Sequence, residues 1–166
     1  MIVVGGGSRS GKTRFALDLA AGMGDRLLYI ATAELLDDEM RRRAEAHRME
    51  RGSRFETVEA PRDLAGAVTE HVGRFDGVVI DCLTLWVSNL MLNGVEDLRP
   101  HGEALAAACG GRPVVLVTNE VGSGIVPENA LARRFRDEAG WMNQRMAQAA
   151  DGVYWVVFGC PLKVKG

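Results

Sequence analysis

A chain of 166 residues with 47% hydrophobic and 25% charged residues suits one globular domain with a sizeable core and leaves little room for a second. Its formal net charge of -2 excludes a global basic field for nucleic acid or an anionic membrane, and no apolar run approaches the ~20 residues of a membrane span. Cys82, Cys109 and Cys160 are odd in number, far apart and without C-x-x-C spacing, which argues against a disulfide framework or a zinc site and suits a reducing cytoplasm.

In chain order, "MIVVG" (1–5) reads as a strand, with only four residues before glycines begin, too few for a signal-peptide apolar region. A helical pattern follows over 12–22, then a strand "RLLYIA" (26–31) and a charged helical stretch over 37–51. "RFETVE" (54–59) is a weaker strand, followed by a helix over 62–72 and the strand "GVVID" (77–81). Helices over 83–92 and 102–109 precede the strand "PVVLVT" (113–118), and a helix over 128–149 leads to the strand "GVYWVVF" (152–158). Near-continuous apolar strands separated by helices predict an α/β fold, a parallel sheet covered by helices on both faces. No repeat or low-complexity linker interrupts it.

Two connections carry more than connectivity, "GGSRSGKT" and "TNEVGSGIVPEN". The first matches G-x-x-x-x-G-K-[ST], with Gly6, Gly11, Lys12 and Thr13 at the required spacing, directly after a strand and opening a helix. Glycines let such a loop curl so that successive N–H groups meet phosphate oxygens, and the helix N-terminus adds positive potential. Lys12 is expected to reach the outer phosphates and Thr13 Oγ to join the shell of a magnesium ion, while Ser8, Arg9 and Ser10 shape the loop.

A P-loop also needs a carboxylate to hold magnesium, usually at the end of a buried strand. Asp81 fits at the end of "GVVID", although an Asp there also serves as a helix N-cap for "CLTLWVSNL". Glu120 competes, and Glu59 stands at another strand terminus. Asn119 and Glu120 could orient a water or a substrate hydroxyl, or could cap a turn. The N-K-x-D element of Ras-like GTPases is absent: the corresponding "TNEVG" has Glu120 and Gly122 at its Lys and Asp positions.

The stretch "DDEMRRRAEAHRMER" (37–51) holds one histidine among arginines. Met40, Ala44, His47 and Arg51 are spaced four, three and four apart and share a helical stripe. Geometry alone favours a histidine packed at a helix–sheet boundary. Clustered guanidiniums, however, disfavour protonation of the imidazole and can bind phosphate oxygens in bidentate fashion, so His47 could serve as a nucleophile toward phosphorus. Simple phosphoryl transfer to a hydroxyl needs no such group, and a covalent step would imply a second activity.

Four blocks, "GGSRSGKTRFAL", "YIATAELLDDEMRRRAEAHRMER", "VVIDCLTLWVSNLML" and "LVTNEVGSGIVPENALARRFRDEAGWMNQRMAQAADGVYWVVFG", resemble the bifunctional adenosylcobinamide kinase / adenosylcobinamide-phosphate guanylyltransferase family of cobalamin biosynthesis. The resemblance spans most of the chain. It implies a RecA-like P-loop NTPase core assembled as a homotrimer, which phosphorylates adenosylcobinamide with ATP or GTP. It further implies transfer of GMP from GTP to adenosylcobinamide phosphate through a guanylylated histidine, which matches His47, with release of pyrophosphate. By the same resemblance the nucleotide contacts fall on Gly6 to Thr13, on Ala31, Thr32 and Ala33, on Arg48, Met49, Glu50 and Arg51, and on Glu59 and Asp81, with Mg2+ held by Thr13 and Asp81. A P-loop kinase of another small molecule with a structural His47, or a non-catalytic nucleotide-dependent regulator, are the competing readings. Trp86, Trp141 and Trp155 are expected in core packing rather than against a corrinoid.

Overall fold

The computed structural model describes residues 1–34, 42 and 52–166. Seven strands form one sheet: β1 (Ile2–Gly6), β2 (Leu27–Ala31), β3 (Phe55–Glu59), β4 (Gly77–Asp81), β5 (Val114–Asn119), β6 (Gly152–Val157) and β7 (Cys160–Lys165), in the order β3-β2-β4-β5-β1-β6-β7. The first six run parallel and β7 is antiparallel to β6. Helices α1 (Lys12–Ala21), α2 (Leu64–His71), α3 (Leu83–Leu92), α4 (Arg99–Cys109) and α5 (Ala130–Ala149) cover it. The expected helix over 37–51 lies, but for Arg42, outside the described residues.

The two-residue period of the strands divides the core. Val3, Leu28, Ile30, Val78, Ile80, Val114 and Leu116 face a layer built by α2 to α5, with Trp86, Leu105, Met142 and Met146 fully buried in it. Val4, Tyr29, Val79, Val115 and Val117 face the other way, onto Ala16, Leu17 and Ala20 of α1. Sequential βα units with parallel strands bring the carboxyl ends of β1, β2, β3, β4 and β5 to one edge of the sheet, which is where open α/β sheets hold ligands.

Helix α2 starts where Asp63 accepts from the Gly66 N–H, and α5 where Asn129 accepts from the Ala132 N–H, each satisfying an otherwise orphaned first-turn donor. Helix α4 begins at Arg99, three residues ahead of the expected 102, because Pro100 sits in its first turn, where its missing N–H costs nothing. Trp86 is core, as expected, and its indole N–H donates to Arg62 O at 2.7 Å.

Strand β7 was not among the expected elements. Its residues are all exposed and it carries Pro161, so neither apolar periodicity nor strand propensity marks it. The tight turn joining it to β6 has Phe158 at φ 51° and Gly159 at φ 79°, the two left-handed positions of a type I′ hairpin, which favours Asn-Gly. Phe158 is 97% exposed, so its ring gains no packing to offset a left-handed backbone that costs roughly 1–2 kcal/mol for an L residue with Cβ. Phe158→Asn is expected to raise Tm by about 2–4 °C in a chain of this size; calorimetry checks it, and a fall in Tm would contradict it.

Candidate active site

The P-loop folds as its motif requires. Between β1 and α1 the chain curls over residues 7–11, with Arg9 at φ 55° and Gly11 at φ 93°, while Ser10 N–H donates to Gly7 O at 3.4 Å and Phe15 N–H to Gly11 O at 3.1 Å. A Cβ on Gly6 would lie 2.6 Å from Ser10 Oγ and 2.7 Å from Val156 O, so only glycine lets the loop close against β6. The Phe158–Gly159 turn braces the other side through a 2.9 Å bond from Gly159 N–H to Ser10 O. Gly7, Ser8 and Arg9 face solvent.

Lys12 is 8% exposed, and its ammonium donates across the loop to Gly7 O at 3.0 Å. Burial lowers its pKa, and the Asp81 carboxylate opposes that shift. Cys82, whose thiol is pushed up to about 12 by burial, is neutral near pH 7, so Asp81 is the counter-charge that favours protonated Lys12. Cys109 is likewise pushed up to about 12 by burial, which removes both buried thiols as nucleophiles.

Asp81 ends β4, with β5 between it and the P-loop strand. Thr13 Oγ1 donates to Asp81 Oδ2 at 3.0 Å and Tyr29 Oη donates to the same oxygen at 2.9 Å. Asp81 makes no capping bond to α3, whose N-cap is Cys82 with no side-chain bond, so the helix-cap reading of Asp81 falls away. Tyr29 carries no motif; its place beside the carboxylate follows from β2–β4 pairing and the inner-face parity it shares with Val79.

The donor set suits a magnesium ion. Thr13, by giving its proton to Asp81, keeps hydroxyl lone pairs for a cation, and Mg2+ typically takes one or two protein oxygens plus phosphates and waters. That modest demand agrees with the lack, among the described residues, of a cluster of three or more His, Cys, Asp or Glu groups. Ser10 Oγ is buried with no hydrogen-bond partner among the described residues, as a phosphate-cradling loop leaves its polar groups.

The other expected contacts are more scattered. Thr32 is fully buried and its hydroxyl is used within the protein, donating to Cys82 O and accepting from Cys82 N–H, both at 2.8 Å. Asn89 Nδ2 donates to Thr32 O at 2.7 Å. Ala31 and Ala33 flank it, half-buried at the end of β2. Glu59 ends β3 at the sheet's far edge, four strand spacings and thus about 19 Å from the P-loop strand. It lines a groove of about 400 Å³ with Arg62, Asp63, Glu70 and His71. Arg48, Met49, Glu50, Arg51 and His47 lie outside the described residues.

The structure separates Asn119 from Glu120. Glu120 accepts from the N–H groups of Gly122 and Ser123 and so closes the turn after β5. Burial raises its pKa, but the Ser123 hydroxyl, the two backbone N–H groups and the Arg136 guanidinium outweigh that and leave it lowered. Arg136 also donates to Gly122 O at 2.7 Å, and Arg133 donates to Pro127 O and Glu128 O, so α5 holds the loop at both ends.

A family model described as cobinamide kinase / cobinamide phosphate guanyltransferase matches residues 2–164. The "Bifunctional adenosylcobalamin biosynthesis protein CobU" of Salmonella typhimurium is 44% identical, with 99% of each chain covered. The "Bifunctional adenosylcobalamin biosynthesis protein CobP" of Pseudomonas aeruginosa is 42% identical over 97% of this chain and 95% of its own. Among solved structures, the RadB recombinase superposes with a TM-score of 0.52 at 17% identity, covering 93% of this chain and 72% of RadB. That likeness concerns the fold: the sheet and its helices are those of a RecA-like P-loop NTPase, as expected.

Proposed function

The chain belongs to the cobinamide kinase / cobinamide phosphate guanyltransferase family and is an enzyme of adenosylcobalamin biosynthesis with kinase and guanyltransferase activities; from that premise we propose that both activities use one triphosphate site, the P-loop, with a fresh nucleotide for each step. The observation that carries this is the closed set Lys12, Thr13 and Asp81 at a glycine loop of the required spacing, with Thr13 Oγ1 3.0 Å from Asp81 Oδ2. Loop N–H groups from Gly7 to Thr13 and the α1 N-terminus bind phosphate oxygens. Thr13 and Asp81 are the residues for Mg2+, which supplies charge neutralisation across the phosphates when bound.

In the kinase step, the aminopropanol hydroxyl of adenosylcobinamide attacks the terminal phosphorus of ATP or GTP, and Lys12 stabilises charge on the departing diphosphate. In the guanylyl step, a neutral His47 imidazole nitrogen attacks the α-phosphorus of GTP, and pyrophosphate leaves with its charge held by Lys12. A phosphate oxygen of adenosylcobinamide phosphate then attacks the guanylyl phosphorus, forming the P–O–P link of adenosylcobinamide-GDP while the P–N bond breaks and its electron pair returns to the imidazole nitrogen. Two in-line displacements give net retention at phosphorus. Ala31 to Ala33 and Glu59 at the sheet edge, with Arg48, Met49, Glu50 and Arg51 beside His47, are the further nucleotide contacts in this reading.

The assembly in this reading is a homotrimer. The setting is the cytoplasm, where Cys82, Cys109 and Cys160 stay reduced; all three are free thiols, and among the described residues no helix is long and apolar enough to cross a membrane. Incubation with adenosylcobinamide, GTP and Mg2+ tests the function. Adenosylcobinamide phosphate, then adenosylcobinamide-GDP with stoichiometric pyrophosphate, is the expected product series. Phosphorylated product without any GDP conjugate would favour a single-activity kinase, and no product at all would favour a regulator.

A further inference from the structure

One polar group at the nucleotide edge is fixed in place yet unspent. The backbone of Asn119 sits in a closed hydrogen-bond circuit: its N–H donates to Thr84 Oγ1 at 2.7 Å, Thr84 Oγ1 lies 3.2 Å from Thr118 Oγ1, and Thr118 Oγ1 donates to Asn143 Oδ1 at 2.6 Å. Asn143 Nδ2 then donates back to Asn119 O at 3.1 Å. Such a satisfied network, drawn from α3, β5 and α5, holds one backbone position rigidly. The next residue adds a further tie, Glu120 N–H donating to Gly6 O of the P-loop strand at 3.3 Å.

The Asn119 carboxamide takes no part in this circuit. Among the described residues its one hydrogen-bond contact is Nδ2 to Cys82 Sγ at 3.9 Å, a weak pairing for a strong donor. Strand alternation sends Thr118 toward the layer of α3 and α5, where its bonds lie, and Asn119 the other way, onto the face of Val117 and α1. Asp81 shares that face, as its bonds to Thr13 and Tyr29 require. Strand β5 lies between β4 and β1; Asn119 pairs with Gly6 at the start of the P-loop and stands two residues beyond Val117, the partner of Asp81, so it ends the strand at the loop and just past the carboxylate. The half-buried carboxamide is thus a neutral donor at the center of a site otherwise made of a lysine, a carboxylate and backbone N–H groups.

We propose that Asn119 is a catalytic residue of the kinase step, donating its Nδ2–H to a nonbridging oxygen of the terminal phosphoryl group as that group is transferred. This rests on the P-loop reading above and adds the residue that reads the group in flight. The substrate hydroxyl oxygen forms its bond to the terminal phosphorus, and the bridging P–O bond breaks with its electron pair passing to the departing nucleoside diphosphate. The hydroxyl proton passes to water. Charge on the transferring oxygens is met by a preorganised donor that needs no rearrangement, because the circuit has fixed its backbone.

The test compares wild type, Asn119→Asp and Asn119→Ala in two assays, transfer of γ-labelled phosphate to adenosylcobinamide and single-turnover labelling of the protein by α-labelled GTP. Both variants should lose about 10²-fold in kinase kcat, with nucleotide KM and α-label yield within about threefold of wild type, as for loss of one transition-state donor. Unchanged Tm in Asn119→Ala excludes a folding defect. Kinase turnover in Asn119→Ala equal to wild type would overturn the assignment, as would a rise in KM at constant kcat or an equal fall in both assays. A wild type without phosphate transfer would remove the P-loop reading itself, and this assignment with it.

Discussion

Lys12→Ala is expected to cripple both transfers while leaving the fold intact. Among the described residues its ammonium is the one cation held inside the loop, by burial, the Gly7 O bond and the Asp81 counter-charge, and in the proposed mechanism charge on the leaving diphosphate or pyrophosphate develops beside it. Loss of one preorganised donor removes 10²–10³ from kcat, and a full positive charge in a water-excluded loop exceeds a neutral N–H. A fall of about 10³-fold or more in kcat/KM for each step is expected, equivalent to about 4 kcal/mol or more at 1.36 kcal/mol per decade. Lys12→Arg does not rescue it, because a planar fork needs room that a lysine 8% exposed does not leave. Folding tolerates the alanine: burial already disfavours the charged ammonium, and the Asp81 carboxylate that loses its counter-charge is only partly buried and keeps its hydrogen bonds from Thr13 and Tyr29. Steady-state rates for both steps, with thermal melts of the same preparations, check this. Loss of one step alone would mean that the two activities use separate phosphate sites.

The sheet was legible because burial on both faces writes itself as unbroken β-branched runs. The expected ends of β1, β2, β4, β5 and β6 fall within a residue of those found, and "RFETVE" proved an edge strand whose exposed residues explain its weak signal. Strand β7 left no trace, since a fully exposed edge strand needs no apolar face. The P-loop was legible as a motif because its chemistry depends on backbone curvature, which only glycine at Gly6 and Gly11 allows. Tyr29 and the Thr84–Thr118–Asn143 circuit were not: these contacts join residues 25 to 52 positions apart through side chains with no fixed spacing. "TNEVG" sat between, its Asn119 and Glu120 equivalent in sequence until Glu120 turned inward on Gly122 and Ser123.

In the proposed mechanism, His47 is the residue that separates a two-activity enzyme from a kinase alone. Its environment was read from sequence, as an imidazole kept neutral by neighbouring guanidiniums and aligned with Arg51 on one helical stripe. Loss of a covalent nucleophile removes on the order of 10⁴ to 10⁶ from the step that needs it, whereas a kinase step that relies on Lys12, Thr13 and Asp81 requires no imidazole. The two half-reactions should therefore part company in one substitution. With GTP labelled at the α-phosphorus, the wild-type protein should carry acid-labile, alkali-stable label that chases into adenosylcobinamide-GDP when adenosylcobinamide phosphate is added. His47→Ala should carry none, yet still transfer γ-phosphate to adenosylcobinamide. Label retained by His47→Ala, or a wild type that never takes label while forming the GDP conjugate, would contradict a guanylyl-histidine at this position.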